Sequence, residues 1–480
     1  MRAIFDFDTV ARKIQIKSDF LPEIREHFSV ENKATIFVRR RYGRNVATRK
    51  YAITNKGHID APFCKQLCKE LKQTFPHLLL EFTDKALEYI NSNKLSDSID
   101  SLNLTPRDYQ IESAKKALIE GRGIIVLPTS AGKTLTIALM VNSILRNQNY
   151  KVLILVPNIQ LVEQTYQDFI DYGLDQTTFS RWTGGHGYTS TNIVIANSQI
   201  LLSEKQDTTV LKEFDCIVVD ECHKLATADK IAKLIKNLKC KHLFGFTGSL
   251  PNDKFDVWTL NRLFGSVLYH KQSIELRNDK FITSVRVVAL ELTYNNVPEF
   301  TRPSMSEPTA GYEEEITWLH TNEFRNSVIS KLIQKLDTNT LILVDRIAHG
   351  EFLLEYLKTT TNKQIYFIHG SVDIEEREQL RKLMEETNGV VCIAISKIFS
   401  TGISIKNLHN VIFAAIGKAR IKIIQSIGRS LRLHHSKDIA TIFDIADVSL
   451  HYGQKHFIER KDLYESEKIP LISKQLVENN

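Results

Sequence analysis

The stretch IIVLPTSAGKT, residues 124–134, constrains what this chain can fold into more than any other stretch. Its first four residues are apolar and typical of a buried strand, and residues 135–145 place apolar side chains at helical spacing. A short loop that contains Gly132 separates the two. In a strand–loop–helix unit, the loop N–H groups and the positive end of the helix dipole point at one place. The stretch therefore predicts a phosphate site at the start of the helix.

The loop has most, but not all, of a known nucleotide-binding pattern. Lys133 is placed to reach the β- and γ-phosphates, and the Thr134 hydroxyl is placed to hold Mg²⁺. The pattern G-x-x-x-x-G-K-[ST] has Gly where this chain has Leu127, so an ordinary strand-to-helix turn is the alternative. Elements further along the chain must decide between the two. The residues predicted to bind the nucleotide here are Thr129, Ser130, Ala131, Gly132, Lys133 and Thr134.

A second apolar stretch ends in two adjacent acids, in IVVDECHK, residues 217–224. Acids at the carboxyl end of a parallel strand lie at the edge of the sheet where ligands bind. Asp220 can hold Mg²⁺, and Glu221 is then placed to orient and activate the water that attacks the γ-phosphate. The alternative is that Asp220 only caps a helix, which the phosphate loop upstream makes the weaker interpretation.

The chain divides into segments of different texture. A polar stretch, residues 91–103, separates the first part from a series of short apolar strands that alternate with helical patterns. A second such series follows a Pro-containing region, residues 295–311. Strand–helix alternation predicts parallel sheets covered on both faces. We predict an α/β protein with an N-terminal α+β module at 1–95, two lobes at 96–280 and 281–450, and a helical tail at 451–480.

The N-terminal segment carries the densest basic cluster, FVRRRYGRNVATRKY, residues 37–51. Apolar alternation at 35–38 and 51–53 predicts two strands joined through Gly43. Such a hairpin would present guanidinium groups to a phosphate backbone, although a solvated basic edge strand is the alternative. The arginines predicted to contact nucleic acid are Arg39, Arg40, Arg41 and Arg44.

Composition permits a nucleic-acid partner and argues against a membrane. The 480 residues carry a formal net charge of +7, which is mildly basic for this size. No apolar run approaches the length of a membrane span. The first residues, MRAIFDFDTVARK, place Asp and Arg where a signal peptide requires an apolar core. We therefore expect a cytoplasmic protein with no membrane partner.

Taken together, the loop, the Asp-Glu-Cys-His sequence and further motifs in order resemble helicase superfamily two. Segment 105–113 resembles the adenine-reading motif and supplies Arg107 and Gln110. Thr247-Gly248-Ser249 resembles the motif that links hydrolysis to strand movement. The residues at positions of nucleic-acid contact are Pro157, Gln164, Gly184, Gly185, Ser198, Gln199, Arg346 and Thr401. The second-lobe residues that the resemblance places at the nucleotide are Gly402, Gln425, Arg429 and Arg432. The two arginines are expected to stabilise charge on the transferring phosphoryl group.

A narrower resemblance, carried by the N-terminal basic module and by residues 399–414 and 456–465, is to phage recombination helicases of the UvsW type. It implies two RecA-like lobes, ATP and Mg²⁺ as cofactors, and action on forked, four-way or single-stranded/duplex DNA junctions. A monomer is expected, in the host cytoplasm if a phage encodes the chain. The alternatives are an RNA helicase, a translocase subunit of a restriction system, and a DNA-binding scaffold with an inactive nucleotide site.

Overall fold

The computed structural model describes residues 1–11, 13–31, 49–91, 94–128, 130–203, 208–226, 229–238, 240–304, 307, 309–396, 405–414 and 439–479. Contacts between Cα atoms divide the chain into two compact units. The first unit comprises Met1–Leu127 and Gly132–Lys271, and the second comprises Pro128–Ala131 and Gln272–Asn480. The division does not separate the N-terminal module from the first lobe, so the predicted domain boundaries stay predictions.

The N-terminal module is built on a mixed four-stranded sheet of order β5-β2-β1-β6 and a two-stranded sheet, β3-β4. Among the described strands of the module, β1 and β6 pair in parallel and the other pairs are antiparallel. Its strands are β1 Arg2–Asp8, β2 Lys13–Lys17, β3 Ser29–Glu31, β4 Arg49–Tyr51, β5 His58–Ile59 and β6 Leu79–Phe82. Its helices are α1 Leu21–His27, α2 Cys64–Thr74 and α3 Asp84–Asn91.

The first lobe contains a seven-stranded sheet of order β13-β7-β12-β11-β8-β10-β9, in which every pair is parallel. The central strands are fully buried because helices cover both faces, as their continuous apolar sequences predicted. The strands are β7 Arg122–Val126, β8 Val152–Val156, β9 Phe179–Trp182, β10 Ile193–Asn197, β11 Cys216–Val219, β12 His242–Thr247 and β13 Val267–His270. The helices are α4 Asp108–Glu120, α5 Lys133–Gln148, α6 Ile159–Asp171, α7 Asp229–Leu238 and α8 Lys254–Phe264.

The second lobe has a seven-stranded sheet of order β16-β17-β15-β18-β19-β14-β20, again parallel at every pair. The strands are β14 Ser284–Thr293, β15 Thr340–Val344, β16 Ile365–Ile368, β17 Val391–Ile395, β18 Asn410–Phe413, β19 Ile439–Asp447 and β20 Leu471–Val477. The helices are α9 Ser273–Asn278, α10 Tyr312–Thr321, α11 Glu323–Lys335, α12 Ile347–Thr360, α13 Ile374–Glu386 and α14 His451–Ser466. Two parallel sheets in tandem, with a small N-terminal mixed sheet, confirm the predicted fold class.

The structure adds detail where the sequence pattern was weak. The predicted helical tail contains helix α14 and then strand β20, which pairs along β14. The predicted hairpin partner at 35–38 and the four arginines lie outside the described residues, and β4 pairs with β3. Described residues 94–107 have no helix or strand, yet they are anchored. Leu95 N donates to Leu118 O at 2.9 Å, and Asn103 N donates to Tyr172 O at 2.9 Å.

The N-terminal module shares its core with the first lobe. Trp258 of α8 is 1% exposed and belongs to the hydrophobic cluster of the module, where its ring lies 5.3 Å from that of Phe28. Its Nε1 donates to the Glu70 carboxylate at 3.2 Å. Asp60 of the module is 6% exposed and pairs with Lys236 at 2.7 Å and Arg262 at 2.9 Å, both from the lobe. These contacts join the module firmly to the first lobe.

Helix length and hydropathy bear on the membrane question. In the part of the chain that the structure describes, no helix is both long enough and apolar enough to cross a bilayer.

Candidate active site

The loop between β7 and α5 has a conformation that its glycine makes possible. Gly132 precedes α5 with φ +80°, in the left-handed region. A Cβ at this position would lie 2.3 Å from Gln110 Nε2, so a larger residue would displace that amide. Gln110 Nε2 donates to Gly132 O at 3.4 Å, and its Oε1 accepts from Arg107 N at 2.9 Å. The predicted adenine-reading segment is thereby held against the predicted phosphate loop.

The acidic turn after β11 places its carboxylate next to the loop lysine. Lys133 Nζ, at the first residue of α5, lies 3.5 Å from Glu221 Oε1, and the two side chains are 12% and 15% exposed. Glu221 has φ +51°, which is unusual for a residue with a side chain. Asp220 Oδ1 accepts from Glu221 N at 2.9 Å and Glu221 O accepts from Lys224 N at 3.0 Å, so the turn is held in this conformation.

A hydrogen-bonded link runs from this turn to the end of β12. His223 Nδ1 lies 3.3 Å from Glu221 Oε2 and 2.9 Å from Thr247 Oγ1. The Thr247 hydroxyl donates to Ser249 O at 2.8 Å, so its hydrogen is not available to the imidazole. His223 Nδ1 therefore carries the hydrogen and donates it. One imidazole N–H thus lies between the acid of the turn and the Thr-Gly-Ser segment.

The two acids of the turn have opposite pKa shifts. Burial and the adjacent Glu221 carboxylate raise the pKa of Asp220 to about 6. Burial alone would also raise the pKa of Glu221, but the Lys133 charge and the His223 hydrogen bond outweigh it and hold that pKa below its usual range. The Glu221 carboxylate is therefore ionised over a wider pH range than the Asp220 carboxylate.

Cys222 packs the turn against the sheet. It is 0% exposed, and a Cβ added at Gly245 of β12 would lie 2.8 Å from its Sγ. Burial raises the pKa of the Cys222 thiol well above its usual value. The thiol is therefore a packing group rather than a nucleophile.

All these elements lie at one edge of the first sheet, because parallel strands end on the same side. The nucleotide candidates follow β7 and β11, with Thr247 at the end of the intervening strand β12. The candidates for nucleic-acid contact follow the neighbouring strands β8, β9 and β10. These candidates are Pro157, Gln164, Gly184, Gly185, Ser198 and Gln199. The residues predicted to bind the nucleotide therefore lie on one half of this edge, and the residues predicted to contact nucleic acid lie on the other half.

The two glycines after β9 have no packing role inside the protein. Gly184 and Gly185 are exposed, and a Cβ on either would meet no atom within 4 Å. Their small size leaves the surface open to the close approach of another backbone.

The remaining predicted site residues lie in the second lobe or outside the residues that the structure describes. Arg346 follows β15, and its Nη2 donates to the Glu313 carboxylate at 2.5 and 2.7 Å. The predicted site residues that lie outside the described residues are Arg39, Arg40, Arg41, Arg44, Thr129, Thr401, Gly402, Gln425, Arg429 and Arg432. The sequence interpretation did not select His223 or Thr247 as site residues, although the Asp-Glu-Cys-His and Thr-Gly-Ser sequences contained the signal.

Comparison with known proteins defines the class. The family described as "Type III restriction enzyme, res subunit" matches residues 103–252, and "Helicase conserved C-terminal domain" matches residues 325–434. Dbp5 of S. cerevisiae, solved bound to RNA and ADP BeF3, aligns over 77% of this chain and 90% of its own at 14% identity and TM-score 0.54, which shows a shared fold. The lobes, the edge geometry and these matches define a helicase of superfamily two.

Within this class, the ATP-dependent DNA helicase uvsW of Enterobacteria phage T4 is 33% identical over 396 residues, 77% of this chain and 77% of that protein. The crystal structure of T4 UvsW aligns over 99% of this chain and 100% of the solved chain, with 27% identity and a TM-score of 0.45. The chain belongs to the UvsW family of helicases, and the predicted resemblance is confirmed.

Proposed function

We propose that this helicase hydrolyses ATP at the edge of the first sheet, is stimulated by DNA, and unwinds or branch-migrates forked and four-way DNA. The observation that carries the proposal is the connected set Lys133, Glu221, His223 and Thr247. It joins the segments predicted to bind phosphate, to activate water and to couple hydrolysis to strand movement. The T4 relative, an ATP-dependent DNA helicase, supports both ATP and DNA as substrates.

The residues of the edge have complementary tasks in this reaction. Lys133 neutralises charge on the β- and γ-phosphates, and the start of α5 adds the positive end of its dipole. Glu221, which stays ionised, orients and polarises the attacking water through its carboxylate. His223 fixes the direction of the Glu221 carboxylate through its Nδ1–H group.

The donor set fits Mg²⁺, because a hydroxyl and a carboxylate oxygen are among its preferred ligands. Thr134, the second residue of α5, and Asp220, directly after β11, would hold it at this edge. When bound, Mg²⁺ would neutralise charge on the phosphate oxygens. The assignment of Arg429 and Arg432 to the transition state rests on the sequence alone.

We propose that DNA is held mainly through its phosphates by residues after β8, β9 and β10. The exposed glycines after β9 support this proposal, because a nucleic-acid backbone can approach them closely. Since phosphate contacts carry no sequence information, movement along the strand should be largely independent of sequence.

An ATPase assay with single-stranded, duplex and forked DNA and with RNA tests the proposal. Hydrolysis should rise with DNA and should be abolished in Lys133→Ala. Glu221→Gln should bind ATP with nearly unchanged affinity but turn over at least about 100-fold more slowly, because it lacks the group that activates water. Stronger stimulation by RNA would favour an RNA helicase, and near wild-type turnover in Glu221→Gln would refute the role of Glu221.

A further inference from the structure

The second lobe contains a cavity of about 140 Å³ at the carboxyl ends of β15 and β18. Ile316, Leu319 and Ala414 form its apolar wall, and all three are buried. The carboxyl edge of a parallel sheet is where ligands bind in α/β proteins. Arg346 of its wall is a predicted nucleic-acid contact, and the other residues of the wall have no task in the helicase activity proposed above.

Two buried polar side chains in the wall, Arg325 and His349, each have a polar atom that makes no hydrogen bond to a described residue. Arg325 is 0% exposed and donates from Nε to Asp447 Oδ1 at 3.0 Å and from Nη2 to Ala414 O at 2.6 Å. Its Nη1, and Nε2 of His349, have no hydrogen-bond partner among the residues that the structure describes. An unsatisfied buried polar group is destabilising, so a ligand that bonds to these atoms recovers that cost.

The charges of the wall favour an uncharged ligand over a phosphate ion. Arg325 pairs with Asp447 at 3.0 Å, and Arg346 pairs with Glu313 at 2.5 Å. Asp447 and Glu313 neutralise these cations from outside the wall, and Asp345 supplies a carboxylate in the wall itself. Two cations thus stand against three carboxylates, Asp447, Glu313 and Asp345, which disfavours a free anion.

The size and shape of the cavity suit one flat ring. The rings of His320 and His349 lie 4.2 Å apart and 11° from parallel, so one part of the wall is planar and aromatic. Both imidazoles are neutral, because burial lowers the pKa of His320 to about 4 and that of His349 well below its usual value. A cavity of about 150 Å³ holds benzene, so this volume accommodates a six-membered ring.

We propose that the cavity binds a pyrimidine nucleobase. The ring packs on Ile316 and Leu319, a ring carbonyl accepts from Arg325 Nη1, and an N–H group of the base donates to Asp345. A base on a DNA strand and a free nucleoside share this chemistry. The inference goes beyond the proposed function, because nucleoside binding can be measured without ATP hydrolysis.

Titration calorimetry of the full chain with thymidine, cytidine, adenosine and inorganic phosphate tests the proposal. Ala414→Leu fills the cavity without changing charge, and Ala348→Leu is the matched control at an exposed position of α12. We expect the wild type and Ala348→Leu to bind a pyrimidine nucleoside. Ala414→Leu should bind it at least about tenfold more weakly, a loss of about 1.4 kcal/mol.

Three results would overturn the proposal. The first is that neither pyrimidine nucleoside binds the wild type. The second is that Ala414→Leu binds a pyrimidine nucleoside as tightly as the wild type does. The third is that phosphate or adenosine binds the wild type as tightly as the pyrimidine nucleosides do. His320→Leu, a change at a half-buried wall residue, replaces Ala414→Leu if the latter does not show a cooperative thermal transition.

A second arm separates the two sources of the base. Oligothymidylate should bind more tightly than an abasic strand of equal length, and Ala414→Leu should reduce that difference about tenfold if the base comes from the strand. If a pyrimidine nucleoside binds but this difference is unchanged, the ligand of the cavity is the free nucleoside.

Discussion

At the scale of single residues, two backbone conformations at the candidate site are costly. Ser130 and Glu221 have φ +69° and +51°, in a region that residues with a Cβ rarely adopt. Each costs about 1–3 kcal/mol, so the surrounding contacts must hold it in place. At Glu221 those contacts include Asp220 and His223, which fix the direction of the carboxylate that is proposed to face the attacking water.

The link from Glu221 through His223 to Thr247 predicts a coupled loss of activity. His223→Ala and Thr247→Val should each lower kcat about tenfold and leave KM for ATP nearly unchanged. The first change removes the hydrogen bond that orients the Glu221 carboxylate, the second removes the contact that orients His223, and neither removes a phosphate contact. Steady-state ATPase kinetics of both variants and of the double variant measure this. The double variant should lose little more than either single one, since both changes break the same link.

Additive losses would mean that the two residues act separately. A large rise in KM with unchanged kcat would assign His223 to ground-state binding of ATP.

A buried histidine in the first sheet predicts the direction of acid destabilisation. His242 is 1% exposed at the start of β12, and burial lowers its pKa to about 4, although its Nδ1 lies 3.2 Å from Gly121 O. In the unfolded chain the pKa is about 6.5. Between these values the unfolded state binds a proton that the folded state does not, so stability is lost as pH falls from 6.5 towards 4.

His242→Gln removes this titration and should flatten the pH dependence. From pH 7.5 to pH 5 the wild type should lose about 2 kcal/mol more than the variant in free energy of unfolding. Urea unfolding of both proteins at the two pH values measures the difference. Equal losses in both proteins would show that His242 is already protonated in the folded state at pH 5.

At the scale of elements, the junction between the N-terminal module and α8 determines how the module is held. Trp258 lies in the core of the module, and Asp60 pairs with cations of α7 and α8. Burial would raise the pKa of Asp60, but the charges of Arg262 and Lys236 hold it below its usual value. A module with this core cannot separate from the first lobe without exposing an indole ring and an acid.

Trp258→Ala should therefore loosen the module and not only the helix. The change removes a fully buried ring and should cost about 3–5 kcal/mol. Hydrogen exchange should show lost protection in β1, β2 and α2 as well as in α8, with β8 and β11 unaffected. Trp258→Phe, the matched control, keeps an aromatic ring and loses the hydrogen bond to Glu70, so it should cost about 1 kcal/mol. Exchange changes confined to α8 in Trp258→Ala would contradict a shared core.

At the scale of the whole molecule, the prediction concerns the grip on branched DNA. The core edge is proposed to contact one strand, and the basic segment that contains Arg39, Arg40, Arg41 and Arg44 is the candidate for holding a duplex arm. Each phosphate contact removed flattens the log–log salt dependence of duplex binding by about 0.9. Neutralising the four arginines should weaken binding of forked and four-way DNA and flatten its salt dependence.

Fork titrations at several salt concentrations measure both quantities. The control neutralises Lys331, Lys335, Lys358 and Lys382, which removes the same charge from exposed helical positions of the second lobe. Parallel salt slopes and unchanged affinity in the arginine variant would leave the module without a role in DNA binding. Equal effects in the two variants would assign the change to net charge alone.

The sequence by itself determined the features that depend on neighbouring residues. Strands β8, β11 and β15 belong to the predicted series of short apolar strands, because continuous apolar runs between polar turns have one stable place, inside a parallel sheet. The phosphate loop and the acidic turn were predicted in the same way, since glycine, lysine and paired acids at strand ends have local chemical requirements.

Only the tertiary structure decided which distant residues meet. The bond from His223 to Thr247 spans 24 residues, and that from Trp258 to Glu70 spans 188. Strand β20 joins the second sheet through hydrogen bonds to β14, which its own residues do not indicate. The cavity in the second lobe likewise combines residues of α10, α11 and α12 with residues directly after β15 and β18. Such contacts depend on the order of the strands and the packing of the helices, and the residues that make them leave no local pattern in the chain.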